Sequence, residues 1–429
     1  MPPLPSYDQI VDSIVSRARF GIRPGLDRII PLLDSLGSPQ DSFPSIHVVG
    51  TNGKGSTAAF LSSILSAAGY RTGFFSSPHL SSYTERFRVD GVEIPRDRLV
   101  TVASRVIRHA LPDATFFELT TAIALLWFAE EGVDIAILEA GMGGRLDATN
   151  AVSGIMTLMT PLSRDHTTWL GGTLESIARE KIAILKRGTP LVSADQPEEI
   201  RSLLISAAVM NDSPLVMAGR DVSCWWEGET LAYRGIDRNF FALSPGIGGC
   251  YQSENLPVAI AAAEILSKNR FPCSDDAIRE GVRSARWPGR MELFTGSPPI
   301  LLDGAHNPAG ARALAGDLSR RQHAPLVFVI GVVDDKDTEG IIAPLLSLAG
   351  QIVTVAPPVE RGIGAEALAE FIRSRWSIDP IPACSVEDAL DLGRRAAGEG
   401  GMLVVCGSLF LVGAVRGVLT NTPSLSVRG

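Results

Sequence analysis

Gly50-Thr51-Asn52-Gly53-Lys54-Gly55-Ser56-Thr57 follows the short apolar run Ile46-His47-Val48-Val49 and opens a segment of helical character over residues 58–69. A strand, a glycine-rich turn carrying one lysine and a hydroxyl, and then a helix is the arrangement that cradles nucleotide phosphates. The glycines let backbone N–H groups approach an anion with no Cβ in the way. On this reading Lys54 reaches the β- and γ-phosphates, and Ser56 or Thr57 offers a hydroxyl to Mg²⁺. The spacing G-x-x-G-K-G-S stands one step from the commoner G-x-x-x-x-G-K-[ST], but the flanking strand and helix argue against a plain flexible turn. ATP is therefore the expected ligand.

Outward from this loop, short apolar runs alternate with helix-period segments. Strands are expected at 46–49, 71–75, 133–138, 155–159 and 190–193, and helices at 117–131, 174–186 and 197–208. Near-continuous apolar strands between helices imply a parallel sheet covered on both faces. Residues 222–243, with aromatics, glycines and alternation, read as a small antiparallel insert, followed by a helix over 254–266. Turn residues Trp287-Pro288-Gly289-Arg290 and a linker near 286–297 precede a second βα series, with strands at 300–302, 326–330, 352–355 and 402–405. The expected fold is α/β. A P-loop-type, mostly parallel sheet domain over residues 1–290 is followed by a smaller Rossmann-like α/β domain over 291–429.

Composition agrees with two domains, since 429 residues exceed one ordinary core. Hydrophobic content of 45% with 20% charged residues is that of a soluble globular protein. The net charge of −8, with no dense Lys/Arg stretch, argues against a nucleic-acid partner. Residues 400–415 are uncharged but broken by Gly407 and Ser408, which suits a buried strand and helix better than a membrane span. The first 19 residues carry acids and prolines and no apolar secretion core. Five cysteines without a C-x-x-C pair indicate neither a disulfide framework nor a zinc cluster. A cytoplasmic monomer without a membrane partner is the expectation.

Val133-Asp134-Ile135-Ala136-Ile137-Leu138 ends in Glu139, followed by Ala140-Gly141-Met142-Gly143-Gly144-Arg145. An acid at the carboxyl end of a buried strand, beside a phosphate loop, is where P-loop enzymes hold Mg²⁺. The plain alternative is a solvated strand tip. Asp165-His166 follows the next strand, ahead of the helix carrying Glu180-Lys181. A lone histidine is commonly a hydrogen-bonded structural residue and a helical lysine a solvated face, so the residues alone leave both open.

The combination resembles the folylpolyglutamate synthase/dihydrofolate synthase family, within the Mur-ligase-like ATP-dependent amide ligases. The segments that carry the resemblance are G-T-N-G-K-G-S-T (50–57), S-S-P-H-L-S-S-Y-T-E-R-F-R-V-D-G (76–91), L-E-A-G-M-G-G-R-L-D-A-T-N (138–150) and D-H-T-T-W-L-G-G-T-L-E-S-I-A-R-E-K (165–181). Q-S-E-N (252–255), W-P-G-R-M-E (287–292), L-D-G-A-H-N-P (302–308), D-D-K-D (334–337) and C-G-S-L-F-L-V-G (406–413) extend it in family order. The resemblance implies that Gly53, Lys54, Gly55 and Ser56 hold ATP phosphates and that Ser77, Glu139 and His166 ligate magnesium. It gives Lys54, His166 and Lys181 catalytic roles, with Lys181 matching a lysine carbamylated in this family. Asn255, Arg290, Asp303 and His306 match nucleotide-contacting positions, and the pteroate or folate pocket draws on Gly25, Leu26, Asp27, Arg28, Phe117 and Asp147. Two departures stand out: Lys181 precedes Ile182-Ala183-Ile184 where glycine and alanine are common, and Tyr251 occupies a position where histidine is frequent.

The implied reaction is ATP-dependent ligation of L-glutamate to dihydropteroate, to reduced folate (poly)glutamates, or to both, through an acyl phosphate. Extension of folates alone is one alternative, and another Mur-type amide ligase a second. The 49 residues ahead of Gly50 are expected to be too few for the UDP-sugar-binding domain of cell-wall Mur ligases. A non-catalytic nucleotide switch would need the loop but not the array Glu139, His166, Lys181 and Arg290.

Overall fold

The computed structural model describes residues 5–21, 23–164, 171–320 and 325–421. Packing divides the chain into two units. Met1–Pro78, Tyr83–Gly246 and Gln252–Arg286 make the first; His79–Ser82, Ile247–Tyr251 and Trp287–Gly429 make the second. The main break thus falls before Trp287 and not after Arg290, and two short excursions belong to the second unit although the first flanks them in sequence.

The first unit is built on eight strands: β1 (Ser45–Val49), β2 (Thr72–Phe75), β3 (Phe87–Val89), β4 (Val92–Glu93), β5 (Ile135–Glu139), β6 (Met156–Met159), β7 (Leu191–Ser193) and β8 (Leu215–Met217). Their order is 4-3-2-5-1-6-7-8. The six from β2 to β8 in that order run parallel, while β3 and β4 turn back antiparallel at one edge. The sheet is therefore mixed. Every residue of β1 and β5 is buried, which is why neither sequence alternates. Among the helices, Phe116–Glu131 starts at a Thr115–Glu118 capping box, ends at Gly132 in the left-handed region, and buries all of residues 118–128.

The insert forms as expected: β9 (Ser223–Glu227), β10 (Thr230–Arg234) and β11 (Asn239–Leu243) are antiparallel. Buried Glu264 ties it to the helix Gln252–Ser267, accepting the Tyr233 hydroxyl at 2.6 Å and the N–H groups of Ile236, Asp237 and Arg238.

The second unit contains β12 (Glu292–Phe294), β13 (Ile300–Leu302), β14 (Leu326–Ile330), β15 (Ala349–Thr354), β16 (Ile381–Pro382) and β17 (Met402–Cys406), ordered 12-13-17-14-15-16. All pairs are parallel except β12 with β13. Alternate residues feed two cores: Leu301, Phe328, Ile330 and Val404 on one face, Ile300, Leu302, Val327, Val329, Leu403 and Val405 on the other. Leu80 packs into the latter, and the Ser81 hydroxyl donates to the Gly413 carbonyl at 3.1 Å.

Two expectations need correction. The segment read as a linker contains β12, whose half-exposed edge position leaves no apolar run to detect. The helix expected to reach 186 stops at Ile182, because Ile182 and Ile184 turn into a core with Val49, Ala140 and Ala178. All five cysteines are free thiols, and among the described residues no helix is long and apolar enough to cross a membrane.

His47 lies fully buried in β1 and donates from Nε2 to the Thr149 carbonyl at 2.9 Å; its Nδ1 has no partner among the described residues. Burial drives its pKa from 6.5 down to about 4, aided by the Lys186 charge and opposed by the Thr149 bond. Between those values the unfolded chain binds a proton that the native one refuses, so stability falls as pH falls. The loss from this one site reaches about 3 kcal/mol below pH 4. His47→Leu should therefore show a shallower decline in urea midpoint from pH 7 to pH 4 than the parent, whatever its stability at pH 7. Parallel declines would rule the histidine out as the acid-sensitive group.

Candidate active site

The phosphate loop leaves the carboxyl end of β1, the strand at which the sheet order reverses. Val48 lies opposite Glu139 of β5, and Val49 opposite Met159 of β6. Ligands of open parallel sheets bind at such reversal points. The loop is anchored from the β6 side: the N–H groups of Thr51 and Asn52 both reach the Pro161 carbonyl, and the Thr51 hydroxyl bonds with Ser163. Gly53 (φ 83°) is the N-cap of the helix Lys54–Ala67, with no side chain capping that end. The first-turn N–H groups and the helix dipole therefore favour an anion. A Cβ on Gly53 would lie 2.0 Å from Oδ1 of buried Asn255, so only glycine lets the asparagine seat against the loop. The Thr57 hydroxyl donates to the Asn255 carbonyl at 3.5 Å. Lys54 Nζ folds over the loop onto the Gly50 and Thr51 carbonyls, at 3.4 and 3.2 Å.

Next along the strand ends, Glu139 closes β5 and is 4% exposed, with its Oε2 accepting the Ser77 N–H at 3.3 Å. Glu139 and Ser77 are thus together. Arg86, which sequence reading passed over, is buried beside them. Its guanidinium lies 5.1 Å from the Phe116 ring centre, and burial lowers its pKa to about 10 against the attraction of Tyr83, Glu139 and Glu85. Its signal was its place inside the 76–91 motif, where a cation among aromatics stands a few residues past Ser77. Asp165 and His166 lie outside the described residues. Lys181 is 5% exposed, near the end of the helix Leu174–Ile182. That helix meets the 141–149 loop directly: a Cβ on Gly144 would lie 2.6 Å from the Lys181 carbonyl, and the Arg145 N–H donates to the Glu180 carbonyl.

The residues expected to line an acceptor pocket converge around the same loop. The Phe117 ring covers Gly141, where a Cβ would lie 2.6 Å from it. Asp147 is buried and accepts from Met142 N–H at 2.9 Å and from the Thr149 N–H and hydroxyl at 3.0 and 2.6 Å. Burial raises its pKa against those hydrogen bonds. The Gly25 N–H donates to the Leu146 carbonyl at 3.4 Å, seating the Gly25–Leu26 turn on the loop. Arg28, expected to meet a substrate anion, is instead committed within the chain. Its Nε donates to Glu118 at 3.0 Å, and its terminal nitrogens reach Asp27 and the Arg23 carbonyl. An arginine 8% exposed needs such partners, and Glu118 is the buried carboxylate at hand. Asp147 likewise spends its oxygens on the loop. Both shape the wall more than they offer free groups.

In the second unit, Asp303 follows β13 and is 4% exposed. Its Oδ2 accepts the Tyr251 hydroxyl at 2.8 Å and the Met291 N–H at 3.1 Å, and its Oδ1 accepts the Ala305 N–H at 2.9 Å. The Arg290 guanidinium lies over Gly304, where a Cβ would fall 1.9 Å from it, and His306 Nδ1 lies 2.8 Å from the Gly304 carbonyl. Arg290, Asp303 and His306 are thus one cluster.

Comparison with known proteins identifies the family. The Mur ligase middle domain matches residues 48–263, and the Mur ligase glutamate ligase domain matches residues 289–409. The dihydrofolate synthase/folylpolyglutamate synthase of Bacillus subtilis is 33% identical over 96% of this chain and 98% of its own. Escherichia coli FolC, solved in complex with DHPP and ADP, superposes with a TM-score of 0.89 at 32% identity, covering 98% of this chain and 100% of that one. The bifunctional folylpolyglutamate synthase/dihydrofolate synthase of Yersinia pestis, complexed with AMPPNP and a Mn ion, gives 0.85 at 30% identity, over 98% and 100%. The chain belongs to the dihydrofolate synthase/folylpolyglutamate synthase family of Mur ligases and is an ATP-dependent, amide-forming ligase that acts with glutamate in folate metabolism.

Proposed function

We propose that the chain is bifunctional, adding the first glutamate to dihydropteroate and further glutamates to reduced folates. One observation carries this reading: the early segment around Gly25 and Leu26 is held against Leu146, on the loop that Phe117 covers. That segment resembles the one lining the dihydropteroate site in bifunctional relatives. The B. subtilis and Y. pestis proteins, both named for the two activities, align along nearly the whole chain.

A carboxylate is a poor acylating agent because its oxygen leaves badly. In the proposed reaction an acceptor carboxylate oxygen attacks the γ-phosphorus of ATP, and ADP departs. The glutamate amine then attacks the acyl carbon of the resulting acyl phosphate, loses a proton and expels phosphate. The N–H groups from Gly53 to Ser56 receive phosphate oxygens. Lys54 exchanges its two loop carbonyls for charged phosphate oxygens and offsets the charge that develops during transfer. Asn255, Arg290, Asp303 and His306 are assigned to the nucleotide.

The Ser77 hydroxyl and the Glu139 carboxylate would supply hard oxygen donors, a set that suits Mg²⁺ or Mn²⁺; the Ser77 N–H already bonds Glu139, and His166 is assigned with them. The ion, when bound, supplies charge neutralisation at the phosphates. Lys181 is proposed to act as its carbamate. The ammonium first gives up a proton, and the neutral amine then adds CO₂ at nitrogen and releases a second proton to solvent, which replaces a cation with a carboxylate oxygen ligand.

Three outcomes test these assignments. Lys54→Ala should lose about 10²-fold or more in kcat with an unchanged circular dichroism spectrum. Retention of a tenth of parental turnover would remove the loop from the chemistry. Lys181→Ala should be inactive yet partly rescued by acetate, whereas Lys181→Arg should stay inactive, since it keeps the charge but cannot take up CO₂ in this way. An active arginine variant would make Lys181 an ordinary cation. For bifunctionality, labelled glutamate should be incorporated with either 7,8-dihydropteroate or a reduced folate as acceptor, each with ATP and Mg²⁺. Incorporation with one acceptor alone would reduce the enzyme to that single activity.

A further inference from the structure

We infer that the Tyr251 hydroxyl is a positioning group for the nucleotide-directed residues of the second unit, acting through Asp303 to fix Arg290 and His306. The inference rests on the assignment of those residues to ATP made above. Tyr251 belongs to the excursion Ile247–Tyr251, which is pinned twice within the second unit. The Cys250 N–H donates to Asp317 at 2.6 Å, and the Tyr251 hydroxyl donates to Asp303 Oδ2 at 2.8 Å. The tyrosine ring packs on Gly249 (φ 107°), where a Cβ would lie 2.7 Å from it, so the ring has one seat.

Asp303 is the hub of this arrangement. Its Oδ2 also takes the N–H of Met291, a residue held at φ 45°, directly after Arg290. Its Oδ1 takes the N–H of Ala305, directly before His306. A carboxylate shared by these two N–H groups fixes the backbone on both sides of the cluster, and the phenol is the one side chain bonded to it among the described residues. The residue after Tyr251 is Gln252, which opens the helix whose Asn255 packs on Gly53 of the phosphate loop.

The electrostatics agree. Burial raises the Asp303 pKa, and Arg290 first, then the Tyr251 hydrogen bond and the two backbone donors, hold it down. Burial and the Asp303 charge keep the phenol far above its ordinary pKa, against Arg290 and with Asp317, so it donates throughout the working pH range. Cys406, beside Asp303, is pushed up by burial and by the Asp303 charge and stays a thiol, and His306 stands in the same cluster. Removing the phenol hydroxyl should thus make Asp303 easier to protonate.

Tyr251→Phe keeps the ring and removes the donor. A lost hydrogen bond to a charged group should lower kcat/KM for ATP by about tenfold or more. The acidic limb of that profile should move to higher pH, with the melting temperature close to the parent's. Tyr251→His, which returns a ring N–H, should recover part of the loss. An unchanged kcat/KM and acidic limb in Tyr251→Phe would overturn the inference. So would a pH-independent loss accompanied by a fallen melting temperature and no recovery in Tyr251→His, the pattern of a packing residue. If the parent incorporates no glutamate, the ligase reading itself fails, and calorimetric titration with AMPPNP then decides: equal affinities for parent and Tyr251→Phe, or no binding by either, overturn the positioning role as well.

Discussion

The pairing of β1 with β5 on one side and β6 on the other is the constraint on which the rest of the first unit depends. Parallel neighbours in register end at the same level, so whatever follows Val49, Glu139 and Met159 emerges side by side. β2, paired with β5 up to Phe75 and Leu138, brings Ser77 to the same edge. Phosphate loop, acidic strand end, hydroxyl and loop anchor are separated by tens of residues in sequence. They meet because one strand has two parallel neighbours, and helices on both faces leave the strand ends as the open edge of the sheet.

Around that edge the chain spends its buried polar groups on itself. Glu118 caps its own helix, accepting the Thr115 N–H at 2.7 Å, and pairs with Arg28 at 3.0 Å. Removing one member of such a buried pair leaves the other charge unsatisfied, at a cost of about 3–5 kcal/mol. The N-terminal segment is therefore held to the helix that carries Phe117, and the wall proposed for the acceptor is fixed by the chain's own contacts. Asp147 does the same for the 141–149 loop, and His47 ties that loop to β1 through Thr149. Rigidity of this kind suits a reaction whose intermediate must be held away from water.

The motifs that carry backbone geometry were legible in the sequence, because glycine turns after apolar runs have few other uses. The βα alternation followed from period, and the insert at 222–243 from its aromatics, glycines and alternation. What escaped reading depends on partners distant in sequence. Arg28 looked available because Glu118 is 90 positions away. The segments His79–Ser82 and Ile247–Tyr251 sit in the second unit through Leu80, Cys250 and Tyr251, and no local pattern announces which core a four- or five-residue stretch will join. β3 and β4 are three and two residues long, too short for alternation to register. Ile182 ends a helix that its sequence would have continued, because tertiary burial overrides local propensity.

That same helix end bears on Lys181. Its last turn carries the negative pole of the helix dipole, which favours Arg179 and Lys181 as cations by a few tenths of a kcal/mol to about 1 kcal/mol each. Arg179 meets solvent and Glu175, but Lys181 is 5% exposed, and a buried ammonium carries a desolvation cost. The carbamate proposed above would carry its negative charge near the dipole's negative pole. If a divalent ion binds beside it as proposed, lysine modification and ion binding are thermodynamically coupled, each raising the affinity for the other by the same factor. Ile182 and Ile184, directly after Lys181, lie in a core with Val49, Ala140 and Ala178, so apolar packing fixes the helix end from which Lys181 projects.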